Sequence, residues 1–203
     1  VYRAFCQGKP FYCFKDSIVG EYMLTGQGWD PLMHKFIGDS VRVCEGGVVI
    51  EVGANVGASL IPVCSEFPNT TFHMIEPIPQ FFELLKKNKE SFNASNALLY
   101  NVAVSDVPDR VLKIQCDQGN AGALVMEGVI IDIVTVKTDT LDRMFRDAKI
   151  AFVKIDVDGY EINVLRGAQE LLKRNKPHVF MEFHLGIMKK IGVDPCELLD
   201  IFS

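Results

Sequence analysis

From Val48 onward, short runs of β-branched and other apolar residues alternate with stretches in which apolar residues return every three or four positions. That rhythm predicts βαβ units around a mostly parallel sheet, with helices on both faces. Strands are expected at 48–52, 71–75, 97–104, 152–156 and 178–183. Helices are expected from Ala58 to near Phe67-Pro68-Asn69, at 80–88 with Phe81, Leu84 and Leu85 on one face, and at 161–174. Lys86, Lys87 and Lys89 fall toward the end of the second of these, where cations suit the helix dipole. Between Asp106 and Lys137 the rhythm breaks. Runs at 111–115 and 129–136 flank the Gly-rich stretch 118–122 and read as an inserted hairpin or edge strands. Thr138, Asp139 and Thr140 supply N-cap chemistry for a short helix through Leu141, Met144 and Phe145. A last helix is expected from Asp194-Pro195. Residues 1–45, rich in Pro, Gly and aromatics, read as an N-terminal cap on a main unit of 46–203, the two forming one globular body.

Composition narrows the class of partner. The 203 residues are 48% hydrophobic and 23% charged, which excludes a disordered, collagenous or coiled-coil chain. With 21 Lys and Arg against 26 Asp and Glu, the net charge of -5 gives no electrostatic reason to seek nucleic acid or anionic lipid. A small molecule is the expected partner. No apolar run reaches the ~18 residues of a membrane span, and the first residues lack a secretory pattern, so a soluble chain is expected. The six cysteines form no Cys-x-x-Cys pair and have no His at zinc-ligand spacing. They read as reduced thiols, hence a cytoplasmic location.

In an open parallel sheet, ligands bind outside the carboxyl ends of the strands. Residues 51–57, Glu76-Pro77, Val102-Ala103, 156–161 and 182–184 occupy those ends, and four of the five stretches contain a carboxylate. Gly53 and Gly57 allow close approach to the backbone where the first strand turns. The dinucleotide pattern G-x-G-x-x-G, which seats a pyrophosphate, fails here: its register reads Gly53, Asn55, Ala58. Glu51 would repel phosphate and attract a cation or an amino group. Glu76, 19 residues after Gly57, is placed to accept hydrogen bonds from two ribose hydroxyls. A nucleoside with a positive end and no phosphate satisfies both carboxylates, and S-adenosylmethionine is such a molecule.

Six segments in series carry a family likeness: Val-Gly-Ala-Asn-Val-Gly (52–57), Ile-Glu-Pro (75–77), Asn-Val-Ala-Val-Ser-Asp (101–106), Thr-Leu-Asp (140–142), Lys-Ile-Asp-Val-Asp-Gly-Tyr-Glu (154–161) and Glu-Phe-His (182–184). In order and spacing the chain resembles the FkbM family of class I S-adenosylmethionine-dependent methyltransferases, over about two thirds of its length. The resemblance implies a Rossmann-like sheet, with 46–203 as the cofactor-binding domain. It also implies that Glu51, Gly53, Ala54, Asn55 and Gly57 line the methionine side, that Glu76 holds the ribose, and that Pro77, Val102 and Ala103 flank the adenine. Asp156 would face the methionine amino group or the methyl-transfer centre. Glu161 reads equally well as an acidic first-turn residue.

If the acceptor is a hydroxyl, its proton must leave, and His184 is the best base by type, with Glu182 as its orienting partner if the strand runs through both. His34, His73 and His178 read as structural. No metal is expected; Asp156, Asp158 and Glu182 are the oxygen ligands that would hold one. Gly26-Gln27-Gly28-Trp29 reads as packing of the cap, with a hinged lid as the alternative. The expected activity is O-methylation of a sugar, glycolipid or secondary metabolite, that is, a small-molecule or glycan acceptor. The alternatives are an NAD(P)-dependent oxidoreductase and a non-catalytic cofactor-binding module. Sheets of this class usually add two strands after the fifth, whereas this sequence stops at Ser203. A truncated chain, or an open edge that a homodimer would cover, is therefore expected.

Overall fold

The computed structural model describes residues 1–15, 17–24, 31–43, 47–116, 132–183, 185–190, 192, 194 and 196–202. At its centre β3 (Val48–Val52) pairs in parallel with β4 (Thr71–Ile75) on one side and β9 (Ile150–Ile155) on the other. β5 (Ala97–Tyr100) and β10 (His178–Met181) complete the sheet, in the order β10-β9-β3-β4-β5. These strands are short and almost continuously apolar because helices cover both faces; all six residues of β9 are buried. The chain builds outward from β3 through β4 to β5, then returns to the other side of β3 with β9. The reversal leaves a crevice between the carboxyl ends of β3 and β9.

One face packs against α3 (Pro79–Phe92), a 3-10 helix (Ile61–Glu66) and the N-terminal segment. The other packs against α4 (Leu141–Met144), α5 (Glu161–Arg166) and α6 (Gln169–Asn175), with Met188 of α7 (Leu185–Lys190) and Leu198 of α8 (Glu197–Phe202). A separate small sheet joins β6 (Ala103–Val104), β8 (Asp132–Asp139) and β7 (Val111–Cys116), with β7 and β8 antiparallel, as expected for the inserted hairpin.

Several elements depart from the sequence expectation. The helix after the first turn is only the six-residue 3-10 helix, because Gly57 sits at φ +86° and Pro62 has no N–H to donate into an α-helical ladder. The third strand splits after Tyr100, where Asn101 turns its amide onto the carbonyls of Glu76 and Pro77 at 2.8 and 2.9 Å. The helix expected over 161–174 breaks at Gly167, whose backbone lies so close to β6 that a Cβ there would meet the Ser105 carbonyl oxygen at 2.0 Å. The last helix begins at Glu197, after Asp194 Oδ1 accepts the Cys196 N–H at 2.9 Å.

The N-terminal segment holds a hairpin that the sequence reading missed, β1 (Tyr2–Cys6) against β2 (Lys9–Cys13), followed by α1 (Ile18–Leu24) and α2 (Pro31–Val43). Its signal was the Gln7-Gly8 pair, both at positive φ as a tight hairpin turn requires. The buried Asn88 of α3 fastens this hairpin to the sheet. Its amide donates to the carbonyls of Tyr12 and Val56 and its oxygen accepts the Tyr12 N–H, all within 2.8 Å. The Gly26–Trp29 stretch lies outside the described residues.

Candidate functional site

The crevice opens into a cavity of about 450 Å³, within the range of small-molecule sites. Its floor is the turn after β3, where Gly53 stands at φ +86°, and a Cβ there would lie 1.8 Å from the Asp156 carbonyl oxygen. Gly53 therefore serves two ends: it permits the turn and lets β3 and β9 close on each other. Asn55 follows at φ +50°, unusual for a residue with a side chain. What holds it is Glu76, at the end of β4. The Asn55 N–H donates to Glu76 Oε2 and the Ile78 N–H donates to Oε1, both at 2.8 Å. Each carboxylate oxygen thus keeps one lone-pair direction for a ligand. Burial pushes this carboxyl up to about 7, against the pull of the two N–H groups.

Pro77, Ile78, Val102 and Ala103 form an apolar wall beside Glu76, and Leu112, Ile114 and Ile133 of the β7–β8 hairpin close the opposite side. Asp156, Asp158 and Tyr160 complete the rim past β9. Asp158 also has left-handed backbone, at φ +49°. The charged wall residues are Glu76, Asp156, Asp158 and Lys113, three acids to one base. That set disfavours pyrophosphate and suits a ligand with a cationic end.

Of the residues selected from sequence, Gly53, Asn55, Glu76, Pro77, Val102, Ala103 and Asp156 meet on this wall. Glu51, Ala54 and Gly57 do not. Ala54 and Gly57 are buried behind the turn, and Glu51, 1% exposed, lies beneath it, 3.3 Å from the Lys154 ammonium. That contact is an ion pair without aligned hydrogen-bond geometry, and burial pushes the Glu51 carboxyl up to about 7 even so. The Glu182–His184 pairing rested on a strand running through both. β10 ends at Met181, Glu182 is exposed and off the cavity wall, and His184 lies outside the described residues.

Other signals resolve into local structure. Glu161 is fully buried at the start of α5, where its Oε1 accepts the Gly159 N–H at 3.0 Å and ties down the turn beside Asp158. Thr140 caps α4, accepting the Arg143 N–H at 3.2 Å, and Asp142 reaches across to cap α6, accepting from Leu171 at 2.7 Å and Glu170 at 3.2 Å. His73 bonds Tyr100 at 2.8 Å, and His178 bonds Ser40. Among the described residues, no group of three or more His, Cys, Asp or Glu could hold a metal, and no helix is long and apolar enough to cross a membrane. A larger depression of about 1050 Å³ between α6, β10 and α8 contains none of the turn residues that follow the strands. Its acids and bases are partly paired, as in Arg166 with Glu197 at 2.6 Å, so the smaller cavity is the candidate site. The sequence reading missed two contributors, Asn101 and Lys154.

The model of the methyltransferase FkbM domain matches residues 51–203. The chain belongs to that family. As an FkbM-domain protein it is an S-adenosylmethionine-dependent methyltransferase. Among solved structures it is similar to a precorrin-6y C5,15-methyltransferase from Geobacter metallireducens, at 14% identity and a TM-score of 0.52, over 94% of this chain and 75% of that one. The shared feature is the fold. PKMT2 from Rickettsia typhi, solved in complex with AdoHcy, aligns at 14% identity and a TM-score of 0.42, over 72% of this chain and 22% of that one. A comparison with curated proteins finds no match.

Proposed function

We propose that this FkbM-domain chain transfers the methyl group of S-adenosylmethionine to a hydroxyl oxygen of a small-molecule or glycan acceptor. The observation that carries the donor half is Glu76, buried at the end of β4, held by the Asn55 and Ile78 N–H groups and facing a cavity whose charged wall is mostly acidic. The residues present fit the donor. Glu76 would accept the ribose hydroxyls, Pro77, Ile78, Val102 and Ala103 would cover the adenine, and Asp156 and Asp158 would face the cationic methionine end. When bound, S-adenosylmethionine supplies an electrophilic methyl carbon on a sulfonium, with a neutral thioether as leaving group.

The protein's share is orientation and exclusion of water, which can supply most of a transfer rate. Gly53 and Asn55 hold the turn that sets the cavity floor, and Leu112, Ile114 and Ile133 of the hairpin add apolar lining. The acceptor hydroxyl must also lose a proton, and in this reading an imidazole nitrogen of His184 takes it. The described cysteines are free thiols, which supports a reducing compartment.

Calorimetry with S-adenosylhomocysteine and NAD⁺ tests the donor reading: the first binds and the second does not. A folded sample that ignores S-adenosylhomocysteine overturns it. Transfer of a labelled methyl group to a hydroxyl acceptor, lost in His184→Ala, supports oxygen as the target, whereas binding without turnover on any acceptor favours the cofactor-binding module.

A further inference from the structure

Lys154 lies in the middle of the sheet, 3% exposed, with its strand position directly opposite Glu51. Its ammonium is 2.8 Å from Asp156 Oδ2 and 3.3 Å from Glu51 Oε1, so one buried cation joins a carboxylate beneath the turn to one on the cavity wall. Glu51 and Lys154 are almost wholly removed from water while the Asp156 side chain stays 24% exposed; taking such charges from water is expensive, and an apolar replacement of buried ionic groups is often neutral or stabilising. Stability is therefore a poor account of why a lysine occupies this slot. Its geometry relative to the cavity supplies a better one.

We propose that Lys154 is a positioning residue for the donor site, which holds the Asp156 carboxylate oriented on the cavity wall. The inference rests on the donor reading above. With one ammonium against the Asp156 carboxylate and a Glu51 carboxyl raised to about 7, the triad runs from neutral to −1 as pH passes 7, which suits a donor that carries a sulfonium. Without the lysine, two acids in the same buried space share a proton, and Asp156 loses its orienting partner. Among the described residues, the groups that face the triad are few. Ser59 lies beside Glu51, Glu76 and Asp158 add negative charge at the cavity side, and the Cys64 thiol on the 3-10 helix is pushed up to about 12 by burial and by Glu51, so it stays neutral. Burial works against the Lys154 charge, but its two carboxylates prevail and raise its pKa, while the same ammonium pulls Glu51 down. Removing it moves the acids upward.

The test is the affinity for S-adenosylhomocysteine between pH 6.5 and 9 in the wild type, Lys154→Met, Lys154→Arg and the charge-balanced double variant Glu51→Gln/Lys154→Met. The melting temperature of the ligand-free protein is followed in parallel. Lys154→Met is expected to bind at least tenfold more weakly at pH 7, with the weakening relieved as pH rises. Lys154→Arg restores most of the affinity and the wild-type pH profile, and the double variant folds but binds weakly at every pH. A folded Lys154→Met or double variant that binds within twofold of wild type, with an unchanged profile, overturns the proposal. So does failure of both to fold while Lys154→Arg behaves as wild type, since Lys154 is then structural. Failure of the wild type itself to bind S-adenosylhomocysteine sinks the donor reading instead.

Discussion

Replacing Glu76 with Ala separates what this carboxylate does for the fold from what it does for a ligand. The substitution removes the acceptor of the Asn55 and Ile78 N–H groups, each bonded at 2.8 Å. Hydrogen bonds to a charged group contribute about 1.5–3 kcal/mol each, so several kcal/mol are at stake. Two effects offset the loss. The carboxyl is raised to about 7, so at pH 8 the folded protein already bears roughly 3 kcal/mol of ionisation penalty that Ala abolishes. Glu76 also faces the cavity, so water can reach the vacated space and the orphaned N–H groups. The net loss of folding stability at pH 8 is therefore small, about 1–2 kcal/mol. Binding has no such offset. The ribose loses its acceptor, and Asn55 loses what holds it at φ +50°, for a combined effect of about 3 kcal/mol, on the order of a hundredfold in Kd. Urea denaturation and calorimetry with S-adenosylhomocysteine at pH 8 measure the two quantities on one sample. A Kd within threefold of wild type would refute the role of Glu76, as would a loss of stability that accounts for all the lost binding.

Three further outcomes follow from the same geometry. The stability of the ligand-free protein should fall as pH rises from about 4.5 to about 7, because the folded chain holds a proton on Glu76 that the unfolded chain releases, and Glu51 acts in the same direction. Urea midpoints taken across that window should decline and should flatten in Glu51→Gln; a rising profile is the contrary result. Asp142→Ala should uncap α6 and cost about 1–2 kcal/mol in chemical denaturation, while S-adenosylhomocysteine affinity, measured on the folded fraction, stays at the wild-type value. Asn101→Asp keeps the side-chain shape but sets a carboxylate against the carbonyls of Glu76 and Pro77. It should weaken S-adenosylhomocysteine binding more than Asn101→Ala does, and the reverse order in calorimetry counts against the clamp.

Strand positions and the cavity's polar core were readable because both follow from local pattern. The runs at β3 and β4 are apolar and β-branched and end at Gly53 and Glu76, so bounds and site came from the same residues. What escaped depends on contacts distant in sequence. Nothing near Asn101 says that it will bind carbonyls some 25 residues earlier, and nothing near Gly167 says that β6 will press against it. Lys154 was hidden for a different reason. Alternation along a strand that is buried on both faces does not tell a core position from a charged one, and only the pairing of β9 with β3 sets the ammonium beside Glu51.

These distant contacts also explain why the family's segments mix site residues with others that never touch the cavity. Gly53 excludes a side chain because the Asp156 carbonyl is in the way, so the glycine of one segment and the aspartate of another answer to a single requirement, closure of β3 on β9. Asp142 caps α6, and Gly167 lets the break between α5 and α6 lie against Ser105, just past β6. Asn101 ties the end of β5 to the Glu76-Pro77 turn, so Val102 and Pro77 face the same space. Gly53 and Asn101 thus fix the distances between strand ends that set where the charge of Glu76 and Asp156 can meet a ligand, whereas Asp142 fastens helices away from the cavity. A substitution in Thr-Leu-Asp should therefore register in stability, and one in Ile-Glu-Pro in donor affinity, although both lie within one family signature.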